Sequence, residues 1–142
     1  MISKNIENTN KIAKQFLNKI KPIKNRATVV GLYGDLGVGK TAFTQIVGEI
    51  LKIKKKVNSP TFVIMKRYEL DNINYENLFH LDAYRLKNEK ELLLLGWEEI
   101  VSNPKNLIFI EWPENVIKVM PKKHHKVSIS HTKEGHRNFN IK

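Results

Sequence analysis

Eight consecutive residues carry the clearest chemical pattern in the chain: Gly34-Asp35-Leu36-Gly37-Val38-Gly39-Lys40-Thr41, which fits G-x-x-x-x-G-K-[ST]. Glycines at these spacings let backbone N–H groups turn inward around phosphate oxygens without a side chain in the way. A helix starting at the end of such a loop adds partial positive charge where the phosphates would lie. In this chemistry Lys40 reaches the β- and γ-phosphates and the Thr41 hydroxyl ligates Mg²⁺. The loop is flanked as the mechanism requires, by the apolar run Thr28–Tyr33 before it and by Phe43, Ile46, Val47, Ile50 and Leu51 at helical spacing after it. An accidental glycine-rich turn would not need either neighbour.

A phosphate loop of this kind works with a carboxylate at the end of a neighbouring buried strand, which holds Mg²⁺ opposite the threonine. Leu107-Ile108-Phe109-Ile110 followed by Glu111 offers one. A second acid, Asp82, ends the run Leu78-Phe79-His80-Leu81. If that strand lies beside the loop strand, Asp82 points toward the γ-phosphate and can orient or deprotonate water. The structural alternatives for Asp82 are a salt bridge to Arg85 or a helix cap. His80 reads as a buried hydrogen-bonding residue, since no second ligand stands at metal spacing on its element. Trp112 reads as packing and Glu114 as the start of a further helix.

The elements that must position these groups follow from periodicity. Ile12, Ala13, Phe16, Leu17 and Ile20 share a face, which predicts an amphipathic helix over 8–20 closed by Pro22. Phe62 to Leu70 and Tyr75 to Leu81 are strand-like and joined by Asp71-Asn72-Ile73-Asn74, predicting an antiparallel hairpin and a mixed sheet. Glu89 to Val101 is interrupted at Gly96 and reads as two short helices. Val127 and Ile129, then Phe139 and Ile141, alternate around Glu134-Gly135 as a closing hairpin. The fold class expected is α/β, a three-layer P-loop NTPase fold with a mixed parallel and antiparallel central sheet, as one domain over residues 1–142.

Composition narrows the setting. With no cysteine, thiolate zinc sites, disulfides and cysteine nucleophiles are excluded. No apolar run suits a membrane helix or a signal peptide, so a cytoplasmic protein is expected. The formal net charge of +11 would suit an acidic partner such as RNA. However, lysine, asparagine and isoleucine are abundant throughout while arginine stands only at 26, 67, 85 and 137, a pattern that biased nucleotide composition produces unaided. The basic runs Lys52 to Lys56 and Lys122 to Lys126 read as solvated surface, with no nucleic-acid contact assigned to them. The nearest approach to a guanine-reading Asn-Lys-x-Asp segment, Asn18-Lys19-Ile20-Lys21, ends in lysine, and four scattered arginines leave little for a kinase lid. A small-molecule P-loop kinase remains the alternative reading.

Taken together, four ordered segments resemble one family, the bacterial tRNA threonylcarbamoyladenosine biosynthesis ATPases known as TsaE or YjeE. They are the loop 34–41, Val57-Asn58-Ser59-Pro60-Thr61-Phe62, His80-Leu81-Asp82-Ala83-Tyr84-Arg85, and Glu111-Trp112-Pro113-Glu114. The resemblance implies an ATPase that works with two protein partners, of TsaB and TsaD type, which transfer a threonylcarbamoyl group to adenosine 37 of tRNA. Contact with tRNA would be indirect, through that complex, and ATP hydrolysis would permit repeated rounds. By position, the resemblance makes Thr41 and Glu111 the Mg²⁺ ligands, Lys40 the phosphate clamp and Asp82 the acid-base residue. It adds Thr61 as a switch residue, held extended by Pro60, and Thr9 as a wall of the adenine pocket, although a helix-start role explains Thr9 equally well. Gly34, Asp35, Leu36, Gly37, Val38, Gly39 and Ala42 complete the expected nucleotide contacts, Ala42 standing where a hydroxyl residue is common.

Overall fold

The computed structural model describes residues 1–53 and 64–142. Its centre is a seven-stranded sheet in the order β1-β7-β6-β2-β5-β4-β3. The strands are β1 (Ile2–Ser3), β2 (Thr28–Tyr33), β3 (Met65–Glu69), β4 (Asn77–Asp82), β5 (Asn106–Glu111), β6 (His125–His131) and β7 (Arg137–Ile141). β6, β2, β5 and β4 run parallel, while β3, β7 and β1 add antiparallel edges, so the sheet is mixed as expected. β5 is buried at all six positions and β2 at its first five. Strands covered on both faces read as continuous apolar runs, which is why these two were visible in the sequence.

Two helices cover one face. α1 (Ile6–Lys19) starts two residues before the predicted boundary because Asn5 caps it, its side chain accepting from the Asn8 N–H. α2 (Lys40–Ile50) begins at the loop lysine. Phe16, Phe43, Val30, Leu32, Leu78, Leu107 and Phe109 form the core between these helices and the sheet. The other face buries Val29, Phe79, Leu81, Ile108 and Ile110 against Leu92, Trp97 and Val116. Those last three come from α3 (Lys90–Leu94), α4 (Trp97–Ser102) and the 3₁₀ segment Pro113–Val119. The result is the three-layer α/β P-loop NTPase arrangement.

The interruption read at Gly96 is present: with φ of +87° it parts α3 from α4. Asn72 turns the β3–β4 connection by accepting from the N–H groups of Asn74 and Tyr75. One expectation needs correction. β4 does not lie beside the loop strand β2, because β5 intervenes. β1 and its pairing with β7 were not anticipated, since two residues carry no period. Among the described residues no helix is long and apolar enough to cross a membrane.

Candidate nucleotide site

The parallel register builds the site. Leu78, His80 and Asp82 face the α1/α2 side, and their partners on β5 are Leu107, Phe109 and Glu111. Along both strands this face changes from apolar to polar at the C-terminal end. There Asp82 and Glu111 stand directly opposite each other, close to the start of α2. That is the position where ligands meet parallel α/β sheets.

Glu111 is nearly fully buried and doubly held. Its Oε2 accepts the Thr41 hydroxyl at 2.8 Å and lies 2.7 Å from His80 Nε2. The correction to the strand order therefore does not remove Asp82 from the site, since β5 brings Glu111 between Asp82 and the loop. Asp82 Oδ1 accepts the Tyr84 N–H at 2.9 Å, closing a local turn. That turn takes the place of the salt bridge to Arg85 considered above.

The loop is shaped by its glycines and by two cations. Gly34, with φ of +143°, lies so near the Ile129 carbonyl and Val38 that a Cβ would collide with backbone. Lys40 folds back to donate to the Gly34 carbonyl, and its Nζ lies 3.7 Å from the centroid of the Trp112 ring. Arg137, from β7, donates through Nε to the Val38 carbonyl at 2.6 Å and lies against Gly39. Trp112 itself has φ of +58°, a left-handed backbone that bulky residues seldom adopt. Its ring also packs on Tyr84 at 5.1 Å between centroids.

Burial pushes the Lys40 ammonium down from its ordinary range, against the opposing pull of Glu111, Glu114, Asp82 and Asp35. The Asp82 carboxyl is pushed up, mainly by burial and further by Glu111, although the Tyr84 N–H, His80 and Lys40 act the other way. A carboxyl so raised is a stronger base in its ionised form.

A cavity of about 710 Å³ opens here, lined by Gly37, Gly39, Lys40, Thr41 and Ala42 from the loop and by Asp82, Glu111 and Trp112 opposite, with Leu36 at its rim. Gly34, Asp35 and Val38 act from behind: Gly34 O receives Lys40, Asp35 O receives the Val38 N–H, and Val38 O receives Arg137. Thr9 lies in a second, smaller hollow of about 190 Å³ whose walls include Gly39, Ala42 and Arg137, so the two spaces meet at the loop. Its hydroxyl hydrogen-bonds Ser3 Oγ at 2.6 Å, and Asn5 takes the capping role instead. Thr61, with Ser59, Pro60 and Phe62, lies outside the described residues.

The donor set suits a hard divalent cation bound to a phosphate ligand. Among the described residues no three His, Cys, Asp or Glu side chains gather to cage a metal. The hydroxyl of Thr41 beside the carboxylate of Glu111 supplies oxygen alone. Mg²⁺ prefers such sparse protein ligation, with phosphates and water completing its shell. Sequence reasoning missed Arg137, because one arginine on an alternating strand reads as an ordinary outward residue. It also gave Trp112 no role beyond packing, and only the proximity of Lys40 reveals the other one.

The model of the family described as threonylcarbamoyl adenosine biosynthesis protein TsaE matches residues 3–139. A Rickettsia felis protein named tRNA threonylcarbamoyladenosine biosynthesis protein TsaE is 38% identical over 115 residues, covering 80% of this chain and 62% of its own length. A Bacillus subtilis protein of the same name is 35% identical over 133 residues, covering 94% and 78%. The crystal structure of Bacillus subtilis YdiB superposes with a TM-score of 0.78 at 28% identity, covering 99% of this chain and 82% of that one. The matches span less than two thirds of the Rickettsia felis and Rickettsia conorii relatives, 62% and 57% respectively.

Proposed function

The chain belongs to the TsaE family, and from that membership we propose that it is the ATP-binding and ATP-hydrolysing subunit of the machinery that makes N6-threonylcarbamoyladenosine at position 37 of tRNA. The proposal takes residues 1–142 as one P-loop ATPase domain working in the cytoplasm. Its partners are protein subunits of TsaB and TsaD type, and tRNA is met through them. The observation that carries this reading is the hydrogen bond from Thr41 to Glu111, which joins the glycine-rich loop to the acid ending β5.

In this reading the loop N–H groups and the start of α2 bind the phosphates, and Lys40 leaves the Gly34 carbonyl to clamp them. Thr41 and Glu111 hold Mg²⁺, which when bound neutralises charge on the phosphate oxygens. Asp82 faces Glu111 across one strand pair and accepts a proton from the attacking water. The raised carboxyl favours that transfer. Thr9 borders the hollow assigned to the base, and Thr61 retains the switch role that the family resemblance gives it.

ATP turnover with and without the partner subunits tests the proposal. We expect slow turnover alone and a clear change on adding partners. Indifference to partners and to nucleotide would overturn it, and transfer of labelled γ-phosphate to a metabolite would favour a kinase instead.

A further inference from the structure

His80 is the one histidine with no solvent exposure, on a sheet face whose neighbouring positions are Leu78 and Phe109. It is not among the residues that line the cavity. A polar side chain kept inside an apolar layer needs an explanation. Its Nε2 lies 2.7 Å from Glu111 Oε2, the same oxygen that accepts the Thr41 hydroxyl. Among the described residues its Nδ1 has no hydrogen-bond partner.

These contacts decide where the proton sits. An ionised carboxylate only accepts, so Nε2 must donate. Asp82, two residues along β4, is a further charged group near the ring.

We infer that His80, donating through Nε2, is a positioning residue for Glu111. It occupies one lone pair of Oε2 and holds the carboxylate in a single orientation against Thr41, so that both oxygens of the proposed Mg²⁺ pair are preset before metal arrives. Metal ligands are commonly oriented by such a neighbour, whose loss lowers metal affinity without removing a ligand. The inference rests on the proposed nucleotide site, and its experiment separates the two.

The test compares the wild type with His80→Leu and His80→Gln, the latter able to donate from nearly the same place as Nε2. ADP affinity is measured in EDTA and across a Mg²⁺ titration, and thermal midpoints are recorded. The ¹⁵N spectrum of the wild-type imidazole at neutral pH reads the tautomer directly. We expect His80→Leu to weaken apparent Mg²⁺ affinity by about ten- to hundredfold, with ADP affinity in EDTA unchanged. His80→Gln should return Mg²⁺ affinity to near the wild-type value, and the spectrum should show the proton on Nε2. A folded His80→Gln as impaired as His80→Leu would overturn the inference, as would equal losses with and without Mg²⁺, or an Nε2 that carries no proton. Should His80→Leu fail to fold, His80→Gln and the spectrum decide. Failure of the wild type to bind ADP would instead strike the proposed function, leaving the tautomer result to judge His80.

Discussion

Thr41 and Glu111 are 70 positions apart in the chain and 2.8 Å apart in space, hydroxyl to carboxylate. Their contact fixes the start of α2 to the end of β5, and Asp82 is the Cα partner of Glu111 on the next strand. The loop, the acid and the candidate base thus share one row at the end of the sheet.

Asp82→Asn separates chemistry from binding. Asparagine keeps an Oδ1 that can accept the Tyr84 N–H, so the local turn should survive. What it loses is the capacity to take a proton. We expect nucleotide and partner binding to persist while kcat falls by about 10²–10⁴, checked by single-turnover and steady-state ATPase assays. Full activity in the variant would remove Asp82 from the reaction.

Lys40→Met tests the clamp. Burial already works against the ammonium, and without nucleotide its fixed partners are the Gly34 carbonyl and the Trp112 face. Removing it should weaken ATP binding by at least about tenfold, since charge-assisted bonds to phosphate are lost. The unliganded thermal midpoint should not drop, because methionine needs no desolvated charge. Isothermal titration paired with thermal melts distinguishes this from general destabilisation.

How far these groups could be read from sequence depended on whether their partners were local. Thr28–Tyr33 and Leu107–Ile110 declared themselves through unbroken apolar runs, and the loop through its glycine spacing. Thr41, Glu111 and Asp82 followed from where those elements end. The position of β5 between β2 and β4 is set by packing between distant segments, so it could not be read. Trp112 precedes Pro113, which disfavours right-handed helix and leaves extended backbone as the natural expectation, yet the residue adopts positive φ. His80 was legible as buried but not as a partner of Glu111, because that contact spans two strands.

Phe43 anchors α2 and therefore the loop. Its ring, fully buried, meets those of Phe16 at 6.3 Å, Phe109 at 6.4 Å and Phe139 at 5.5 Å. Phe43→Ala should cost about 3–5 kcal/mol of stability, read as a lower urea midpoint with similar slope. A loss under about 1 kcal/mol would mean that the surrounding rings close the gap.

His125 supplies a pH dependence away from the cavity. Its imidazole is held below the ordinary 6.5 chiefly by burial, then by Arg26 and His124. A histidine depressed in the fold takes up its proton more readily when unfolded. Its contribution is therefore present above the unfolded value and is lost as pH falls through that value toward the folded one. Urea midpoints should decline below about pH 6.5, and His125→Gln should flatten that part of the profile. An unchanged profile would show that other groups control acid sensitivity.

Arg137 lies beyond every other residue of the site in chain order, and its bond to the Val38 carbonyl ties β7 to the loop. β7 in turn completes the hairpin with β6, which flanks β2, and also pairs with β1. During synthesis the glycine-rich loop emerges early, but its final support emerges about 99 residues later. A ribosome-bound chain that has not yet released β7 carries the whole glycine-rich loop without the arginine that braces it.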